Sequence, residues 1–273
     1  MYREFYSLKE IPFRKTPDPA FLFMSRAHEE ALARLQYAVE ERELMLLTGE
    51  IGSGKTTLTR ALINELDDSY VVILLLNPRL TATQFLRTIA KRLGLDGDLR
   101  YKDLLIEALY QRVYELYEEG KTPVIIIDEA QLIPRRETFE EIRLLTNFQL
   151  DNANLLSLIL VAQPDIRRRL KHRVYAPLRQ RIGLYYHIGP LDLEEVGMYI
   201  RHRLEVSGRD EPLFTPEAVE LIHRYSGGIP RMINSIATTA LLEAFGREDE
   251  MVDSEHILDA VKEIGLDGPG KDS

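Results

Sequence analysis

The octapeptide Gly49-Glu50-Ile51-Gly52-Ser53-Gly54-Lys55-Thr56 follows directly on the apolar run Leu44–Leu47 and Thr48, and it opens a helical pattern. It fits GxxxxGK[ST] at every position, in the strand–loop–helix setting that this spelling requires. Glycines let a loop wrap round phosphate oxygens with its N–H groups turned inward, and the N-terminus of the following helix adds positive potential. A chain carrying this block is therefore steered towards a buried strand, a phosphate-binding turn and a helix laid back on a sheet. Gly49, Glu50, Ile51, Gly52, Ser53, Gly54, Lys55, Thr56 and the adjoining Thr57 are the candidate residues for binding ATP. Lys55 is expected to reach the β- and γ-phosphates, and the Thr56 hydroxyl to sit on Mg2+.

The rest of the chain agrees with that architecture. Val71–Leu76, Val124–Ile127 and Leu156–Val161 are continuously apolar, as strands are when a parallel sheet is covered on both faces. Tyr185–Ile188 is a more polar fifth candidate. Helical patterns over Leu58–Leu66, Thr83–Leu93 and Lys102–Glu119 lie between the runs, the last ending at Gly120, where a helix C-cap favours glycine. Alternation of this kind implies βαβ crossovers and a doubly wound α/β sheet. After Pro190 the strands stop. Glu194–Val206, Pro216–Tyr225, Pro230–Phe245 and Ser254–Ile264 all read as helices, with starts at Thr215-Pro216-Glu217 and Asp253-Ser254-Glu255. The expected organisation is an N-terminal segment packed on the ATPase core (1–40), a phosphate-loop α/β domain (41–190), a helical lid (191–264) and a flexible tail (265–273).

Val124-Ile125-Ile126-Ile127-Asp128-Glu129 is an apolar strand ending in two carboxylates. A buried strand delivers Asp128 to the C-terminal edge of the sheet, where open α/β folds bind their ligands. There Asp128 is expected to hold Mg2+ through water, while Glu129, one step further round, orients and activates the attacking water. A carboxylate pair on an isolated strand would read as the start of a turn; beside the phosphate loop it reads as hydrolytic machinery.

Composition narrows the setting. The 273 residues are 45% hydrophobic and 29% charged, the balance of a globular protein large enough for two cores. There is no cysteine, which removes disulfides and thiolate metal sites. No apolar run is long enough to cross a bilayer, and Met1-Tyr2-Arg3-Glu4-Phe5 lacks the form of a signal peptide, so a cytoplasmic protein without direct membrane insertion is expected. The net charge of −9 argues against a general nucleic-acid coat.

Phosphate loop, acidic strand end and all-helical C-terminal region together resemble an AAA+ ATPase. The implied fold is an α/β P-loop NTPase module, a parallel sheet of about five strands flanked by helices, with a C-terminal helical lid domain. Three further places carry the resemblance. Leu160-Val161-Ala162-Gln163-Pro164 resembles sensor 1, which would put Gln163 on the γ-phosphate or the lytic water. Leu178-Arg179-Gln180-Arg181-Ile182 resembles an arginine-finger segment, with Arg181 acting on a neighbouring subunit's nucleotide and Arg179 as the fallback. Gly227-Gly228-Ile229-Pro230-Arg231 resembles the sensor 2 turn, with Arg231 reaching the nucleotide. The opening Phe5-Tyr6-Ser7-Leu8-Lys9-Glu10-Ile11-Pro12-Phe13, the stretch Thr16–Leu22, Asn77-Pro78 and Glu141–Phe148 are similar to the ExeA/GspA-like secretion and pilus-biogenesis ATPases, relatives of the transposition ATPases TnsC and TniB. That resemblance implies a homo-oligomer, ring or filament, and two possible roles. One is ATP hydrolysis that energises a secretion or pilus-type envelope machine through protein partners. The other is a TnsC/TniB-like ATPase that oligomerises on duplex DNA.

Some features stay open on the sequence. Ile166-Arg167-Arg168-Arg169-Leu170-Lys171-His172-Arg173 either follows a DNA or other polyanion backbone or is a solvated helix face lining a subunit interface near the finger. Asn77 either restrains Glu129 or ends a strand before Pro78. Phe13, Phe21 and Phe23 either pack near the adenine or fill a core.

Overall fold

The computed structural model describes residues 2–14, 18–95, 101–151 and 153–266. They form two compact units. One comprises His28–Gly49 and Leu58–Ile188, the other Met1–Ala27, Glu50–Thr57 and Gly189–Ser273.

The first unit is an α/β layer structure. Strands β1 (Leu44–Gly49), β2 (Tyr70–Leu75), β3 (Thr122–Ile127), β6 (Ser157–Ala162) and β7 (Leu184–Ile188) form a sheet of order β2-β3-β6-β1-β7. Every neighbouring pair in it is parallel. The register sets Leu46 opposite Leu160 on one side and Tyr185 on the other, and Ile127 opposite Leu160. The three inner strands β1, β3 and β6 are buried along their whole length, which is why they spell continuous apolar runs. Strand β7 is an edge and only Ile188 is fully buried in it, so its polar spelling is that of a half-covered strand. A two-residue antiparallel pair, β4 (Gln149–Leu150) and β5 (Ala153–Asn154), forms a separate sheet.

Helices α2 (Arg26–Glu40), α4 (Ala82–Arg92), α5 (Lys102–Glu118) and α6 (Arg136–Leu145) cover this sheet, with the short α7 (Asp165–Leu170) and α8 (Ala176–Arg181) before β7. Phe85 and Ile89 of α4, Leu109 and Val113 of α5 and Phe139 and Ile142 of α6 join Ile125 and Leu160 of the sheet in one core. Helix α4 starts on a reciprocal Thr81–Gln84 capping box, which satisfies two N–H groups that the first turn would otherwise leave orphaned.

The second unit is helical: α9 (Leu193–Val206), α10 (Pro216–Ser226), α11 (Pro230–Gly246) and α12 (Ser254–Glu263), joined by the N-terminal turn α1 (Tyr2–Phe5). The first four follow the helices read from the sequence. The segment expected as one block over 1–40 divides at Ala27, because its aromatic residues fill the helical core and not the α/β core. Tyr6, Leu8 and Phe13 pack among Val196, Leu213 and Ala237. Phe13 meets Phe214 edge-on at 5.8 Å, and the Tyr6 hydroxyl donates to Asp249 O at 3.0 Å. Phe13 and Phe21 are therefore core residues, and Phe23 stands edge-on to Tyr199 at 6.0 Å. Arg203, 6% exposed, donates to Pro12 O at 2.5 Å, Arg14 O at 3.2 Å and Phe21 O at 3.4 Å, and its guanidinium lies over the Phe21 and Tyr199 rings. Three carbonyls and two ring faces replace the water that this cation loses on burial.

Of the expected 265–273 tail, residues 267–273 lie outside the described residues, as do Thr16 and Pro17 of the N-terminal signature. Among the described residues no helix is long and apolar enough to cross a membrane.

Candidate nucleotide site

In the helical unit the phosphate loop is bound to the start of α11. Strand β1 ends at Gly49, and helix α3 (Lys55–Glu65) starts at the motif lysine, so Glu50–Gly54 is the turn between them. Gly52 and Gly54 have φ of +84° and +94°, a region that side chains disfavour. The Ser53 N–H donates to Glu50 O at 3.1 Å and closes the turn, and the Lys55 ammonium, 6% exposed, donates to the same carbonyl at 2.8 Å. The Arg231 N–H, which a helix of its own cannot satisfy, donates to Gly52 O at 3.2 Å. A Cβ on Gly52 would overlap the Cβ of Arg231. Arg231 thus meets the loop through its backbone and Cβ, while its side chain remains exposed. Behind it, Gly227 and Gly228 take φ of +58° and +72°, and Gly228 O accepts from Leu191 N–H at 2.9 Å, an approach that a side chain on Gly228 would block.

Backbone N–H groups of a glycine-rich turn, a buried ammonium and the Thr56 hydroxyl form the donor set of a polyphosphate and its hard cation. These residues fit ATP and Mg2+. Thr57 follows Thr56 in the first turn of α3.

In the α/β unit the acidic strand end is ordered by its own short bonds. Asp128, 3% exposed, continues the β2–β3 ladder through its N–H to Leu75 O at 2.9 Å, and its Oδ1 accepts from Glu129 N–H at 2.8 Å. Glu129 takes φ +54° and ψ +38°, the left-handed conformation, where the chain turns out of β3 into the 3-10 turn Ala130–Leu132. For a residue with a side chain that conformation costs about 1–3 kcal/mol and persists only where its surroundings impose it. Its carboxylate Oε2 accepts from Gln163 Nε2 at 3.3 Å, so the sensor-1-like residue at the end of β6 and the acidic end of β3 meet. Gln131 Nε2 donates to the same oxygen. Sequence reading missed Gln131: an amide two residues beyond a carboxylate carries no motif, and its role depends on a contact with Gln163.

Asn77 stays within its own turn, where its Oδ1 accepts from Arg79 N–H at 3.4 Å. The two candidate fingers differ. Arg179 donates to Leu170 O and Lys171 O, each at 3.2 Å, and so closes the end of α7. Arg181 is exposed and donates to a neutral partner, Asn147 Oδ1, at 2.8 Å. It lines a cavity of about 280 Å³ with Arg42, Glu43, Leu145 and Phe148. The basic run is not uniform either. Arg167, Lys171, His172 and Arg173 are exposed and Arg168 pairs with Asp165, whereas Arg169 turns inward onto the carbonyls of residues 131–134.

A five-stranded parallel sheet, a phosphate loop leaving one inner strand, an acidic pair leaving another and a helical unit after the last strand define the class: the fold is that of a P-loop AAA+ module. A family model described as an AAA domain matches residues 38–170. Within that class the chain is similar to General secretion pathway protein A of Aeromonas hydrophila, with 41% identity over 251 residues that cover 90% of this chain and 45% of the relative. The chain thus spans about half the length of that relative. The fold is similar to that of the ORC2 protein of Aeropyrum pernix in its ADPNP–ADP complexes, at a TM-score of 0.67 and 22% identity, covering 93% of this chain and 72% of the other. It is also similar to the Holliday junction branch migration motor RuvB of Thermotoga maritima, at a TM-score of 0.62 and 19% identity, covering 97% and 76%.

Proposed function

We propose that this chain is an AAA+ ATPase that hydrolyses Mg·ATP at a site completed by Arg181 of a neighbouring copy, and that the turnover drives assembly of a secretion or pilus-type envelope machine from the cytoplasmic side. The observation that carries the catalytic part is the meeting of Glu129 and Gln163 at the carboxyl ends of the adjacent strands β3 and β6. In this reading Lys55, Arg231 and the loop N–H groups of residues 49–57 bind the triphosphate, and Thr56 and Asp128 hold the Mg2+. Bound Mg2+ supplies charge neutralisation on the β- and γ-oxygens. Glu129 takes a proton from the attacking water, and Gln163, already beside that carboxylate, holds the water or the γ-phosphate oxygen. Glu129 next to Asp128 favours water over a second substrate as the acceptor. Arg181 is preferred as the finger because Arg179 is committed to the end of α7, while Arg181 has, among the described residues, a neutral amide to leave. The secretion role rests on the similarity to General secretion pathway protein A.

Mixing two inactive proteins tests the shared site. Glu129→Gln lacks the base and keeps the finger; Arg181→Ala lacks the finger and keeps the base. Each alone should lose about 10³-fold in phosphate release. In an equimolar mixture random pairing restores roughly a quarter of wild-type activity if head-to-tail neighbours share the site. A mixture as inactive as its components, or an Arg181→Ala protein with wild-type turnover, removes the intersubunit assignment.

A further inference from the structure

The bonds around Glu129 leave one question: what holds a catalytic carboxylate still on a turn that its own backbone disfavours. The Gln131 amide is engaged at both ends, Nε2 on Glu129 Oε2 and Oε1 on Gln163 N–H at 3.0 Å. It cannot rotate without losing both bonds. Gln163 Nε2 reaches the same Oε2 at 3.3 Å, so two amides share one carboxylate oxygen. Among the described residues no donor reaches Oε1, which is left for the proton of a water.

Gln131 is itself fastened from below. The Arg169 guanidinium donates to Ile133 O at 2.5 Å, Pro134 O at 3.4 Å and Gln131 O at 3.5 Å, and its Nε donates to the Tyr175 hydroxyl at 3.2 Å. It lies over the Phe139 ring at 4.7 Å and the Tyr175 ring at 5.6 Å. One planar cation thus ties the turn after Glu129 to α7 and α6, and a lysine could match neither the fork nor the stacking.

We propose that Gln131 is a positioning residue for Glu129, with Arg169 as the anchor that fixes Gln131; the inference rests on the reading of Glu129 as the residue that activates water. Flexible glutamate side chains visit several rotamers, and displacement of a reacting group by about 1 Å can cost about 100-fold in rate. Clamping Oε2 selects one of those rotamers and turns Oε1 towards the water.

The test is steady-state ATP hydrolysis and fluorescent-nucleotide binding on the full chain carrying Gln131→Met, which keeps length and volume but neither donates nor accepts in the same way. The expected result is a fall in kcat of about 10- to 100-fold, with KM, nucleotide affinity and melting temperature close to wild type. Arg169→Lys should lower kcat in the same direction. The double variant should be no slower than Gln131→Met alone, because both changes act through one carboxylate. A kcat for Gln131→Met that is unchanged or raised, beside an inactive Glu129→Gln, overturns the positioning role and leaves the base intact. A Glu129→Gln protein with normal turnover overturns both. Should Gln131→Met fail to fold, Arg169→Lys decides between the same outcomes, and wild-type kcat there overturns the link.

Discussion

The phosphate loop and the acidic strand end are held by different means. In the helical unit, Gly52, Gly54 and Gly228 let backbone meet backbone, and the decisive bonds run from Arg231 N–H to Gly52 O and from Lys55 to Glu50 O. In the α/β unit, Glu129 is held by the side-chain amides of Gln131 and Gln163 and, at one remove, by Arg169. A glycine-built contact depends on something being absent, so nearly any replacement breaks it. An amide-built contact depends on reach and angle, so it can be loosened by degrees. The first kind suits a region that must grip a ligand; the second suits one that must aim a single atom.

That contrast can be pressed experimentally, starting with the largest effect. Lys55→Ala should weaken nucleotide binding by about 100-fold, since a charge-assisted bond to phosphate is worth about 1.5–3 kcal/mol. Glu129→Gln should leave that affinity nearly unchanged while turnover stops. Titration with a fluorescent nucleotide separates the two, and equal affinity loss in both would erase the division between gripping and aiming. Gly52→Ala comes next. The left-handed conformation and the overlap with Arg231 Cβ should together cost about 3 kcal/mol, visible as a lowered melting temperature without nucleotide. A melting temperature equal to wild type would mean that the start of α11 yields freely, and the contact would not be the rigid one described.

The smallest effect belongs to Tyr6. Burial in the helical core, with Asp249 close by, pushes its hydroxyl up to about 12. The neutral form is favoured on folding, so the associated stability is fully present below the unfolded value near 10 and declines as pH rises from about 10 to 12. Tyr6→Phe should lose about 1 kcal/mol at neutral pH through the missing bond to Asp249 O, and it should flatten the alkaline decline. Unfolding midpoints at pH 8 and pH 11 measure both, and an unchanged alkaline slope would place the titrating group elsewhere.

Much of this is legible in the sequence because it is local. The inner strands announce themselves through unbroken apolar runs, and the phosphate loop through a spelling that the backbone needs. Helices α10 to α12 follow from Thr215, Pro216, Pro230 and Asp253 at their starts. Strand β7 is harder to read because an edge strand keeps polar residues on its open side. Helix α6 escapes a reading by pattern, since Arg136–Leu145 follows Pro134 closely and carries five charged residues in ten. Non-local pairings leave the least trace. Nothing in the spelling of Gln131 points to Gln163 thirty-two residues on, or of Arg169 to the carbonyl of Ile133. The N-terminal block shows the same thing: its aromatic residues read equally as neighbours of an adenine or as core, and the sequence does not say which core they would fill.

Pro12 and Arg203 lie 191 positions apart, and Tyr6 and Asp249 lie 243 apart. At ribosomal speeds of about 5–20 residues per second, Tyr6 and Pro12 wait roughly 10–50 s for these partners to emerge. The α/β unit can collapse in that interval, whereas the helical unit cannot close until α9 to α12 have been made. Tyr6, Leu8 and Phe13 are therefore late to settle, and for most of that wait they are open to any chaperone that recognises exposed apolar side chains.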